Sequence, residues 1–171
     1  MKKRHLFLMM DIVIALALVD LTSYFPYIYP RTLADLWSVR GKALRVLTPM
    51  LWLAGLWFNL YQVRDKAQRI DNRTLLSGMV FMLCAMFMDY PTGYLVNGKA
   101  RIAFQLCGAL VLISAAACWA MLKFMEAPNA DMEGFRDASR KVRGTLAVAF
   151  AIVAAGLVVG SIHPSAIAQP A

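Results

Sequence analysis

Apolar residues in this chain fall in runs of about twenty, and the polar residues gather between the runs. A run of that length matches one helical crossing of a hydrocarbon core about 30 Å thick. Five can be read, over about 6–29, 44–61, 75–96, 102–124 and 144–162. Backbone groups in lipid must bond within their own segment, so runs of this kind are helices. The pattern therefore predicts an all-α, polytopic integral membrane protein: a bundle of about five transmembrane helices with short interfacial amphipathic helices, forming one domain over residues 1–171.

The punctuation between runs refines this. Lys2, Lys3 and Arg4 open the chain as a signal peptide would, but Asp11 interrupts the apolar core, no small-x-small site follows, and the run continues past Asp20. It reads as a retained span, ended by Pro26 and Pro30. Thr32-Leu33-Ala34-Asp35 is a capping-box pattern, and Leu33, Leu36 and Trp37 share a face, which predicts a short interfacial helix over about 33–40. Gly41 separates it from the second span, where Pro49 is expected to introduce a kink. Residues 62–73 carry four basic and two acidic side chains and form a solvated loop. The tight polar turn over 97–101 makes the third and fourth spans an antiparallel pair. Met132, Phe135, Ala138 and Val142 recur at helical spacing opposite Arg136, Asp137, Arg140 and Lys141, predicting a basic amphipathic helix over about 131–142 on the membrane surface.

Composition agrees: 60% of residues are hydrophobic and 16% charged, and the mean hydropathy is +0.58. These values exclude a water-soluble enzyme. The net charge of +8 would suggest nucleic acid in a soluble protein, but here it follows topology. Of the eighteen Lys and Arg, twelve fall on the side of the N-terminus and six on the other, the latter being Arg31, Arg40, Lys42, Arg45, Lys99 and Arg101. The positive-inside rule then puts the N-terminus in the cytoplasm and the C-terminus outside a bacterial-type inner membrane. Tyr24, Tyr27, Tyr29, Tyr90 and Tyr94 fall at the same outer interface, as an aromatic belt would. Cys84, Cys107 and Cys118 lie in apolar runs with no C-x-x-C pair and read as buried free thiols. Histidines occur only at positions 5 and 163, so haem and zinc are not expected and no cofactor is implied. Nor is nucleic acid a partner on this reading; lipid is.

Ionisable groups inside a span call for a partner or a purpose. Measured along helices at about 1.5 Å per residue, Asp20 and Asp89 both sit roughly 21 Å from the inner ends of their spans, and Arg45 opens the second span at the outer side. One arginine between two aspartates could keep both ionised. Tyr24 and Tyr27 share a helical face with Asp20, while Asp89-Tyr90-Pro91-Thr92-Gly93-Tyr94 should unwind the third helix and free carbonyls beside a carboxylate. The sequence thus proposes an outward polar pocket of Asp20, Arg45, Asp89, Tyr24 and Tyr90, against the alternative of an ion-paired structural cluster near the headgroups. Asp11 is expected to reach the cytoplasmic interface. Met79, Met82 and Met86, with Met9 and Met10, could suggest soft-metal ligation, but Cys84 points the opposite way around the helix, and core packing explains the stripe better. In the last span Gly156 and Gly160 form a GxxxG, and Ala147, Ala151 and Ala155 a small-residue ridge on another face. Such faces let backbones approach closely, within the chain or in another subunit.

These features define no nucleophile constellation, and catalysis is not the expectation. The leading reading is a non-catalytic inner-membrane component, an accessory or structural subunit of a larger transport or secretion assembly, partnered by other membrane proteins or by copies of itself. A small oligomeric cation- or proton-coupled transporter or channel using Asp20 and Asp89 is the alternative, and a lipid-modifying enzyme with the two aspartates as acid and base is a third.

Overall fold

The computed structural model describes residues 3–25, 32–64, 66–96, 100–132 and 134–162. Among them are six α-helices and no strand: α1 (Lys3–Thr22), α2 (Leu33–Arg64), α3 (Asn72–Phe87), α4 (Asp89–Val96), α5 (Ala100–Glu126) and α6 (Phe135–Ile162), with a 3-10 turn at Ala127–Asn129. With α3 and α4 counted as one segment, five helices are long and apolar enough to cross a membrane.

The ends of these helices follow from local chemistry. α1 stops at Thr22, well short of residue 29, because Pro26 disfavours helix in the residue before it and carries no N–H for the carbonyl four residues back. The chain tightens there, Ser23 N–H bonding Asp20 O at 3.0 Å and Tyr24 N–H bonding Leu21 O at 3.4 Å. α2 starts directly after Thr32, as the capping pattern predicts. Asp71 caps α3, accepting from the Thr74 N–H at 2.8 Å and the Thr74 hydroxyl at 2.6 Å. α3 ends at Phe87 since Pro91 removes the donor that would meet the Phe87 carbonyl.

Two expected interfacial helices are not separate elements. Residues 33–40 are the first turns of α2, a single helix of 32 residues that passes through Gly41 and Pro49 unbroken. Residues 135–142 are likewise the first turns of the 28-residue α6, which continues through Gly144. The reason is that neither glycine leaves helical backbone: the left-handed glycine among the described residues is Gly134, with φ 72°, and it sets the start of α6. At about 1.5 Å per residue both helices are longer than a hydrocarbon core, and their starts lie at opposite ends of the bundle.

The helices alternate in direction. Met88 meets Cys107 at 3.9 Å while Gly78 faces Met121, so α3–α4 and α5 form the expected antiparallel pair. α5 and α6 are joined by Glu126–Arg143 at one end and by Gly108 against Leu157 at the other. The core is unevenly distributed. Its largest cluster, including Leu6, Phe7, Met10, Phe81, Met121, Met125 and Phe135, gathers at the end holding the start of α1. A smaller one around Leu21, Leu53 and Met88 follows, and among the described residues Val46 and Val96 anchor a third toward the far end, with Tyr24, Val39 and Met50 packed against it. Outward faces carry large apolar side chains such as Leu8, Ile12, Leu16, Leu76, Leu83 and Ile152, the surface that lipid would solvate.

Candidate functional site

The five residues of the proposed outward pocket converge only in part. Because α1 ends at Thr22, Asp20 and Tyr24 no longer share a helical face: Asp20 is exposed, whereas Tyr24 turns inward to α4. Its hydroxyl donates to the Asp89 carbonyl at 3.3 Å and its ring covers Gly93, where any Cβ would stand 2.6 Å from the phenolic oxygen. Tyr90 is exposed and edge-on to Tyr94, ring centres 5.0 Å apart and hydroxyls 3.0 Å apart. Tyr27 and Tyr29 lie outside the described residues.

The expected unwinding around Asp89 is confined to one residue. Met88 keeps helical angles, φ −64° and ψ −29°, and its N–H bonds Ala85 O. Its own carbonyl is taken by the Thr92 hydroxyl at 2.8 Å, so the loosened joint is satisfied from within. The Asp89 side chain differs: Oδ1 is buried and has no hydrogen-bond partner.

Arg45 does not sit between the aspartates. The ion pairs Asp11–Arg64 and Glu126–Arg143 lie elsewhere, and an Arg45 Nη1–H donates instead to the Leu95 carbonyl, at 2.9 Å, near the end of α4. Helix geometry explains the preference, since the last carbonyls of a helix lack intrahelical donors and carry partial negative charge. The guanidinium also borders a cavity of about 490 Å³ between α2, α5 and α6. One face of α2 supplies Gly41, Arg45, Thr48, Pro49 and Trp52; Cys107 and Gly108 face them from α5, and Val153 and Leu157 from α6. The Trp52 indole N–H is committed to Ser114 Oγ at 3.1 Å, and the Thr48 hydroxyl to Leu44 O at 2.7 Å.

No family model, curated protein or solved structure matches this chain. Its chemistry is therefore argued from its own residues.

The small-residue faces of α6 divide. Ala147, Ala151 and Ala155 are all exposed, as are Gly144 and Gly156, and a Cβ built at either glycine would meet nothing within 4 Å. The surroundings of Gly160 lie outside the described residues. The methionines split as well: Met10 and Met82 are in the core, while Met9, Met79 and Met86 are about half exposed, so core packing explains only part of the stripe. Cys84 and Cys118 are buried thiols and Cys107 is partly exposed.

Sequence reasoning missed the polar anchors at the other end. Asp11 is not simply at an interface: it pairs with Arg64 at 2.5 Å and accepts from the Trp57 indole at 2.9 Å, tying α1 to α2. The Arg64 guanidinium also lies 5.6 Å from the Tyr61 ring centre and 5.7 Å from that of Phe7. Arg64 is the last residue of α2, not part of a loop, and three aromatic side chains around one Asp–Arg pair were the signal available. Asn129 was unmarked by any pattern. It is fully buried, its Oδ1 accepting from the Gln68 and Arg69 N–H groups and its Nδ2 donating to the Arg69 and Met125 carbonyls.

Proposed function

We propose that the chain is a non-catalytic integral inner-membrane component, an accessory or structural subunit of a larger membrane transport or secretion assembly. The observation that supports this reading is the outward face of α6, where Ala147, Ala151 and Ala155 stand exposed in one row. Lipid gives helices no hydrophobic reason to associate, and rows of small residues are the surfaces on which close backbone contact becomes favourable. α6 is also the least buried of the five candidate spans, so its packing within the chain leaves that face available.

The tagged full-length chain, extracted in mild detergent from its native membrane, is expected to run as a particle containing other proteins in fixed ratio. Replacing Ala147 and Ala151 together by Leu should release those proteins without changing the chain's own thermal stability by more than about 0.5 kcal/mol, as for surface substitutions. A bare monomer or a homo-oligomer overturns the proposal.

A second reading, a small oligomeric proton- or cation-coupled transporter or channel, is favoured by Asp89 alone. A buried carboxylate oxygen without a donor, at a helix joint, is a group that can take up a proton or a cation. On that reading Asp89→Asn abolishes ion flux into proteoliposomes; on the first it leaves the recovered particle unchanged.

A further inference from the structure

We infer that the cavity between α2, α5 and α6 is a site for one anionic phospholipid, its phosphate on Arg45 and an acyl chain lying inward toward Trp52. The inference stands apart from the subunit reading, because the cavity face of α6 is not the alanine row.

The argument begins with the charge. A guanidinium offers five N–H donors, and Arg45 commits one to Leu95 O. It is half-buried and makes neither ion pair of the described residues, in a span where an uncompensated charge is unfavourable. Carbonyl contact orients the side chain but leaves its full charge in place. Neither ion pair given by the described residues involves it, and the planar fork of arginine suits a phosphate.

The cavity below it selects the rest of the ligand. Along α2 the lining continues from Arg45 through Pro49 to Trp52, a depth of about 10 Å. Its polar groups are already spoken for, Trp52 on Ser114 and Thr48 on Leu44, so nothing in the depth of the cavity awaits a polar partner. Leu44, Leu95, Phe104, Val111, Val153 and Leu157 complete an apolar wall. A site charged at its mouth and apolar below excludes a free inorganic ion or a sugar and fits an amphiphile. At about 490 Å³ it falls within the range of small-molecule pockets, roughly 300–1,000 Å³. Leu95 near the end of α4 and Phe104 near the start of α5 line the same mouth as Arg45, so the charged end of the cavity lies toward that end of the bundle.

The test is native mass spectrometry of the full chain in neutral detergent, titrated with dioleoyl phosphatidylglycerol or with the phosphatidylcholine of the same chains. One phosphatidylglycerol adduct should form at a lipid concentration at least about tenfold below that needed for phosphatidylcholine, whose phosphate carries its own choline counter-ion and so gains less from the guanidinium. Arg45→Gln should abolish the preference, Arg45→Lys should keep part of it, and Val153→Trp, which fills the cavity, should remove the adduct. Equal binding of the two lipids, a preference that survives Arg45→Gln, or oleate binding as tightly as phosphatidylglycerol overturns the proposal. Should Arg45→Gln fail to fold, wild-type fluorescence decides: quenching by phosphatidylglycerol with brominated chains should fall sharply in Trp52→Phe, and undiminished quenching is equally fatal.

Discussion

Asn129 shows how much one side chain can hold. Fully buried and bonded to four backbone groups, it ties the segment after α2 to the end of α5. Asn129→Ala leaves two N–H groups and two carbonyls to find water or remain unpaired, and should destabilise the protein by about 2–4 kcal/mol in thermal unfolding followed by circular dichroism. Nothing in the sequence distinguishes this asparagine, because its partners are main-chain atoms whose positions only the fold defines. Asp71 is more local. The Thr74 hydroxyl, followed by the Thr74 N–H, holds its carboxyl below the ordinary aspartate value. A depressed acid contributes stability that is present above its unfolded pKa and lost as pH falls through the folded one. The stability difference between wild type and Asp71→Ala, about 1 kcal/mol for an N-cap, should therefore hold from neutral pH down to about pH 4 and shrink below it. An unchanged difference at lower pH would separate the cap from the carboxylate charge.

Among the elements, the positions of the five apolar segments were legible because apolar runs of about twenty residues fold as helices long enough to cross a membrane. Their joints were not. Gly41 and Gly144 look like punctuation, yet both are helical, and the glycine that turns the chain is Gly134. A glycine permits a break without requiring one, so composition alone does not say which will be used. Gly108 has a different reason to be glycine. A Cβ there would stand 2.1 Å from Leu157 Cδ2 and 2.7 Å from its Cγ, so the Leu157 side chain would have to move. Gly108→Ala should cost about 1–3 kcal/mol by overpacking, and Leu157→Ala in the same chain should restore part of it. If the single substitution is neutral in thermal unfolding, α5 and α6 do not meet at this point. Candidate chemistry was legible as residue types but not as an arrangement. Arg45 reaches Leu95, six residues beyond Asp89, because spacing along one helix gives neither its register nor its rotation against its neighbours. The early end of α1 leaves Asp20 exposed, and the open end of α4 claims Arg45.

For the molecule as a whole, the two ends are built differently. The end holding the start of α1 contains the largest apolar cluster and three polar anchors: Asp11 with Arg64, Glu126 with Arg143, and Asn129. At the opposite end the buried core residues among those described are Val46 and Val96, and the cavity lies beside them. The alternation of helix directions on which the count of basic residues depends is present among the described helices.

Arg143 is fixed to Glu126 near the start of α6, and fourteen residues on Leu157 packs on Gly108 beside the cavity. α6 is thus a rod held at two points some 20 Å apart, with the cavity at the second. Loosening the Leu157 contact would therefore change the volume beside Arg45 while Arg143 still held the other end.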